Sequence, residues 1–159
     1  RPEHLESRAA EMDFAVRLAK LRRRATEFLL HGTMLRAPAM EIPEAEISIS
    51  RLSIYAGQQG ALTEYEARYP LLLTSAWRNS IGDVAVVIAN IADTSRRAAF
   101  RIDAEAWRVS ARGTIRILED DGGERASPFV EGKISVDDEL PPASARIYVL
   151  SRADLEKVR

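Results

Sequence analysis

Leu71-Leu72-Leu73-Thr74-Ser75-Ala76-Trp77 and Val84-Ala85-Val86-Val87-Ile88-Ala89-Asn90-Ile91 are two apolar runs joined by Arg78-Asn79-Ser80-Ile81-Gly82-Asp83. Each run has the length of a strand, and the polar, glycine-bearing joint reads as the turn of a hairpin. Working downstream, Arg97 to Asp103 alternates, with Ala98, Phe100 and Ile102 on one side. Thr114 to Leu118 is a further short strand, and Asp120-Asp121-Gly122-Gly123 is a turn signal. Phe129 to Val136 and Ala145 to Leu150 complete the set. Upstream, Ile47 and Ile49 alternate with Glu46 and Ser48. The phase then slips at Arg51 to Leu52 and Ile54, which predicts a bulge or bend, and Gln58-Gln59-Gly60 marks a loop. Short strands spaced by turns predict an antiparallel β-sandwich. No strand–helix–strand alternation occurs, so a parallel doubly wound sheet is not expected.

The first part of the chain follows another period. Residues 5 to 31 contain no Gly or Pro, and Phe14, Leu18, Leu21, Ala25 and Phe28 recur at helical spacing. The pattern predicts one helix from Glu6 to His31, roughly 39 Å long at 1.5 Å per residue. Gly32 suits a left-handed C-cap, with Arg22, Arg23, Arg24 and His31 towards the negative end of the helix dipole. Met12, Val16 and Ala19 form a second apolar strip, so the helix wants more partner surface than one sheet face supplies. Thr33 to Pro43 reads as a loop punctuated by Pro38 and Pro43. The expected fold is mainly β: a long N-terminal α-helix followed by an antiparallel β-sandwich. Residues 1–40 form the helix and connecting loop, 41–151 the sandwich and 152–159 a polar tail.

At 159 residues, 46% hydrophobic and 30% charged, the chain is one domain's worth with a sizeable core. Twenty-three basic residues against 24 acidic give a net charge of -1, which argues against a dedicated nucleic-acid partner. With no cysteine, disulfides, Cys-ligated zinc and thiol catalysis are excluded. No 18-residue apolar run is present, so no membrane-spanning segment is expected, and no cofactor motif is visible. The chain opens Arg1-Pro2-Glu3 rather than with Met, so a processed product or excised fragment is the expectation.

Few residues offer chemistry. The two histidines, His4 and His31, lie in no active-site motif and have no metal-spaced partner. Asp120-Asp121 and Asp137-Asp138-Glu139 lie in apparent turns and read as solvated charge before general acid–base or calcium groups. The Arg22-Arg23-Arg24 run reads as a solvated helix face with one member tucked by its stem. The tryptophans are the candidate carbohydrate-binding residues, because sugars stack on flat exposed rings. Trp77 ends an apolar strand, and Trp107 lies in the connection Asp103-Ala104-Glu105-Ala106-Trp107-Arg108.

Asp83 to Ile91 followed by a polar turn and Ala98-Ala99-Phe100-Arg101-Ile102, together with the closing Leu140-Pro141-Pro142-Ala143-Ser144-Ala145-Arg146-Ile147-Tyr148-Val149-Leu150, resemble a recurring pattern. They look like the C-terminal β-sandwich that follows the (β/α)8 barrel in many glycoside hydrolases, those of the α-amylase and α-galactosidase clans included. Leu21-Arg22 and Phe28 to Arg36 resemble the last barrel helix and its exit, as in large bacterial glycosidase-like proteins. The resemblance spans about residues 14 to 151 and carries over no catalytic residue, since those lie on barrel strands. It implies a non-catalytic accessory domain that is not an enzyme by itself, with a barrel of the same polypeptide as its partner. A second copy and a glycan are further candidate partners. A carbohydrate-binding module and a protein–protein interaction module are the competing readings.

Overall fold

The computed structural model describes residues 2–51, 63–129 and 134–152. Helix α1 spans Pro2–Arg24 and the single turn α2 spans Thr26–Leu29. The strands among the described residues are β1 (Thr33–Leu35), β2 (Glu44–Arg51), β3 (Thr63–Pro70), β4 (Leu72–Arg78), β5 (Val84–Asn90), β6 (Arg96–Ile102), β7 (Thr114–Glu119), β8 (Glu124–Pro128), β9 (Ile134–Leu140) and β10 (Ser144–Leu150). The chain is mainly β with a helix at its N-terminal side, and the strand pairs are antiparallel. A six-stranded sheet has the order β1-β4-β5-β10-β7-β8, while β2 pairs with β3 and β6 with β9.

The opening hairpin forms as its sequence dictates. Leu73 lies opposite Ala89 and Trp77 opposite Ala85. In the turn, the Asn79 N–H donates to the Asp83 carbonyl at 3.0 Å and the Asp83 N–H to Asn79 Oδ1 at 2.8 Å. Gly82 takes a φ of 100°, where a side chain would be strained.

The central strands are apolar at successive positions because both faces are covered. On the inner face, Leu72, Val86, Ile88, Ile117 and Tyr148 share a buried cluster with Phe100 and Ile102 of β6 and Ile134 and Val136 of β9. Phe100 meets Tyr148 edge to face at 5.4 Å between ring centroids. On the outer face, Ala85, Leu118, Ala145, Ile147 and Val149 receive Leu21, Ala25 and Phe28. Polar contacts fix the helix there. Arg17 pairs with the buried Asp120 and donates to the Ala143 carbonyl at 2.8 Å. Arg24 donates to the carbonyls of Glu119 and Gly123 at 3.0 and 3.1 Å.

Several expectations are corrected. The helix expected from Glu6 to His31 begins at Pro2 and breaks at Ala25, with φ -113° and ψ 25°. The Thr26 hydroxyl donates to the Arg23 carbonyl at 2.8 Å, offering the backbone a local alternative to the next helical turn. Thr33–Leu35, read as loop, is the edge strand β1, paired with Ala76–Arg78 of β4. Of the strand expected over Phe129 to Val136, Ile134 to Val136 belong to β9, Phe129 follows the end of β8 at Pro128, and residues 130–133 lie outside the described residues. Strands β3 and β8 were not foreseen, because Thr63–Pro70 and Glu124–Pro128 carry too few β-branched residues to signal themselves. The slip to Leu52 and Ile54, the Gln58-Gln59-Gly60 loop and the tail beyond Arg152 lie outside the described residues.

Gly32 is also corrected: it is not among the residues of positive φ. Its lack of a side chain serves close packing instead. A Cβ there would stand 2.3 Å from the Phe28 carbonyl oxygen and 2.7 Å from that of Arg78. Gly32→Ala is therefore expected to cost about 3 kcal/mol by forcing backbone apart, read from the urea unfolding midpoint.

Candidate functional site

The outer face is unevenly covered. Along β10, Ala145, Ile147 and Val149 are all buried. Along β5, Ala85 is buried while Val87 and Ala89 are partly open, and along β4 Leu73 is 47% exposed. Helix α1 thus lies over β10 and β7, α2 reaches the Trp77 end of β4, and the Leu73 end of β4 is left open. Met34 on β1, opposite Trp77 in register at the other end of β4, is 62% exposed on the same edge of the sheet. The helix adds its own apolar strip. With Leu21 and Ala25 buried against the sheet, Met12 at 63% and Val16 at 46% exposure point the other way. The surface that results is apolar on the helix back and on the uncovered edge of the sheet.

The expected sugar-binding rings do not share a platform. Trp77 is half-buried on the outer face, its Nε1–H donating to Ser75 Oγ at 3.0 Å. Trp107 is half-buried against the inner cluster, and its carbonyl accepts from Arg78 at 2.6 Å. His31 is exposed just beyond α2. Of the arginine run, Arg24 is engaged with β7, β8 and their turn, while Arg22 and Arg23 are exposed.

The candidate carboxylates Asp120, Asp121, Asp137 and Asp138 are occupied by cations or backbone. Arg97 grips Asp137 through two bonds of 2.7 and 2.6 Å. Asp138 accepts from the Tyr148 hydroxyl at 2.9 Å, Arg125 at 2.6 Å and Arg146 at 2.9 Å. Arg146 also reaches Glu119 at 3.0 Å. Burial pushes the Tyr148 hydroxyl far above the phenol range, so it stays a proton donor to Asp138. This network ties β9 to β7, β8 and β10, and its acids are held as charge partners with no free general acid or base among them. Asp121 accepts the Gly123 N–H at 2.7 Å, a turn role. Among the described residues, no three acidic or histidine side chains converge on a metal position. Two open cavities, of about 590 and 680 Å³, lie beside Arg108 and Arg152 and beside Arg97 and Glu41 respectively.

Two of the acids should titrate with opposite sign. Burial raises the Asp120 carboxyl above its ordinary value, and Arg17 only partly offsets this. Its contribution is therefore full below the unfolded value of about 3.9 and is lost as pH rises through the higher folded value. The hydrogen bond from Arg97 lowers Asp137, whose contribution is present above the unfolded value and lost as pH falls through the folded one. Measured against wild type, Asp120→Asn should be relatively most destabilised at acid pH. Asp137→Asn should converge on wild type there. Urea unfolding from pH 7 down to about pH 3 reads both.

No family model matches the chain, and no curated protein does. Among solved structures, an arabinofuranosidase is similar at 9% identity and a TM-score of 0.47, over 70% of this chain and 24% of that one. An endoxylanase from Clostridium papyrosolvens is similar at 10% identity and 0.40, over 57% and 22%. α-Galactosidase I from Mortierella vinacea is similar at 11% identity and 0.36, over 52% and 21%. The chain matches less than a quarter of the length of each of these glycoside hydrolases.

Proposed function

We propose that the chain is a non-catalytic accessory β-sandwich of a glycoside hydrolase-like protein, and that it packs against a (β/α)8 barrel of the same polypeptide. The sandwich is formed by the six-stranded sheet on one side and the β6–β9 pair on the other, around the Phe100–Tyr148 contact. The observation that carries the reading is the two-sided helix. Leu21, Ala25 and Phe28 are spent on the sheet, yet Met12 and Val16 stand exposed on the opposite side. A helix with solvent behind it is ordinarily polar there. Covering that strip and the open β4 edge contributes about 25 cal/mol for each Å² of apolar area buried.

The competing readings use other features. A carbohydrate-binding module needs a flat exposed ring, whereas Trp77 and Trp107 are half-buried on separate faces. A protein–protein module would use the same helix strip with a separate chain. The purified chain is expected to hydrolyse no aryl glycoside in a broad panel and to give no saturable heat with polysaccharides at millimolar sugar. Turnover abolished by a point change within the chain would overturn the reading. Sugar binding lost in Trp107→Ala or Trp77→Ala would replace it with the carbohydrate module.

A further inference from the structure

We propose that the β2–β3 hairpin is a docking arm for the same tethered domain, a step that rests on the reading above that such a domain is present. Glu44–Arg51 and Thr63–Pro70 pair over eight positions and form a sheet of their own. By register, Ala45 lies beside Tyr69 and Ile47 beside Ala67 on one side of this ribbon. The other side carries Glu44, Glu46 and Glu66 with Arg68, whose Nε donates to Glu46 at 3.1 Å. Ile47 is 44% exposed and Tyr69 40% exposed. A two-stranded hairpin is marginally stable by itself in water, so an apolar side left open calls for a cover.

The base of the arm is fixed. The Leu71 N–H donates to the Pro43 carbonyl at 2.8 Å, and the Ile91 N–H to the Leu71 carbonyl at 3.1 Å. These bonds root the ribbon at the end of β4 that carries the exposed Leu73. Area decides between occupants. The ribbon measures roughly 27 by 10 Å from strand spacings, about a third of the 800 Å² or so that each partner of a stable dimer buries. A second copy arriving from dilute solution must recover its lost translational freedom from that small contact. A domain on the same polypeptide is already at high effective concentration and needs no larger area. The acidic back of the ribbon further asks for a partner whose apolar face has a basic rim.

Trypsin cleavage after Arg68, compared with cleavage after Arg22 and Arg23 on α1, tests the arm. It is followed in this chain and in the product of the whole reading frame that encodes it. Both sites should be cut readily here and roughly tenfold or more slowly in the longer product. Ile47→Asp with Tyr69→Asp in the longer product should restore cleavage after Arg68 and leave Arg22 and Arg23 protected. Protection at Arg22 and Arg23 without protection at Arg68 overturns the arm alone. Protection at neither overturns the arm and the accessory-domain reading together. Protection of Arg68 that grows with the concentration of this chain assigns the ribbon to a second copy instead.

Discussion

Asn90→Ala is expected to destabilise the chain by about 4 kcal/mol, a large share of a small domain's total. Asn90 is fully buried at the end of β5. Its Nδ2 lies within bonding distance of the carbonyls of Thr94, Leu140 and Pro141, at 2.9, 3.1 and 2.8 Å, and its Oδ1 accepts the Ala92 N–H at 3.0 Å. One side chain therefore closes the turn after β5 and holds it to the end of β9. Alanine takes this partner from the buried Leu140 carbonyl and Ala92 N–H, each at about 1–3 kcal/mol, while the Pro141 carbonyl keeps the Ser144 hydroxyl at 2.7 Å. Asn90→Asp separates shape from hydrogen bonding, since a carboxylate keeps the volume but cannot donate to the carbonyls. It should be at least as damaging as alanine by urea unfolding. A cost below about 1 kcal/mol for both variants would show that the hub is dispensable.

Phe28→Ala carries the second large expectation, about 3–5 kcal/mol. The ring is 1% exposed in the outer cluster, where the helix meets the sheet near β4. Its loss opens a cavity that neighbouring Ala25 and Ala85 are too small to fill. The effect should be local in character as well as large. Amide exchange should quicken across Leu18 to Leu29 more than across β5 and β10, because the strands keep their inner cluster. Equal acceleration everywhere would instead make helix and sheets one cooperative unit.

Legibility in the sequence followed the strength of the local signal. Val84 to Ile91 announces a strand because apolar residues fill both of its faces, and the structure buries Val84, Val86 and Ile88 on the inner face and Ala85 on the outer, with Val87 and Ala89 partly open. The helix was legible from one period, but its break at Ala25 was not. At that break the Thr26 hydroxyl bonds the Arg23 carbonyl, and Ala25 and Phe28 pack on a sheet remote in sequence, neither of which the helical period encodes. Thr63–Pro70 was missed although Thr63, Tyr65 and Tyr69 favour strands and alternate with Glu64, Glu66 and Arg68, because the segment has no apolar aliphatic run to mark it and its pairing with β2 is not written in the local sequence. The second apolar strip of α1 was visible as Met12 and Val16, and both are exposed. The open edge at Leu73 and Met34 was hidden, because it depends on where the helix crosses the sheet and on β1, which looked like a loop. The charge network around Asp138 was equally hidden, because it joins residues of four strands that no sequence spacing connects.

Methionine oxidation tests the central claim most directly, because the chain has three methionines in contrasting settings. Met12 lies on the helix back at 63% exposure and Met34 beside the open β4 edge at 62%, while Met40 packs against the inner cluster. Dilute peroxide followed by mass spectrometry reads the rate at each sulfur. In this chain Met12 and Met34 should oxidise well ahead of Met40. In the product of the whole reading frame, a barrel docked on the helix should slow Met12 to the rate of Met40. Oxidation of Met12 at the same rate in both proteins would contradict the account.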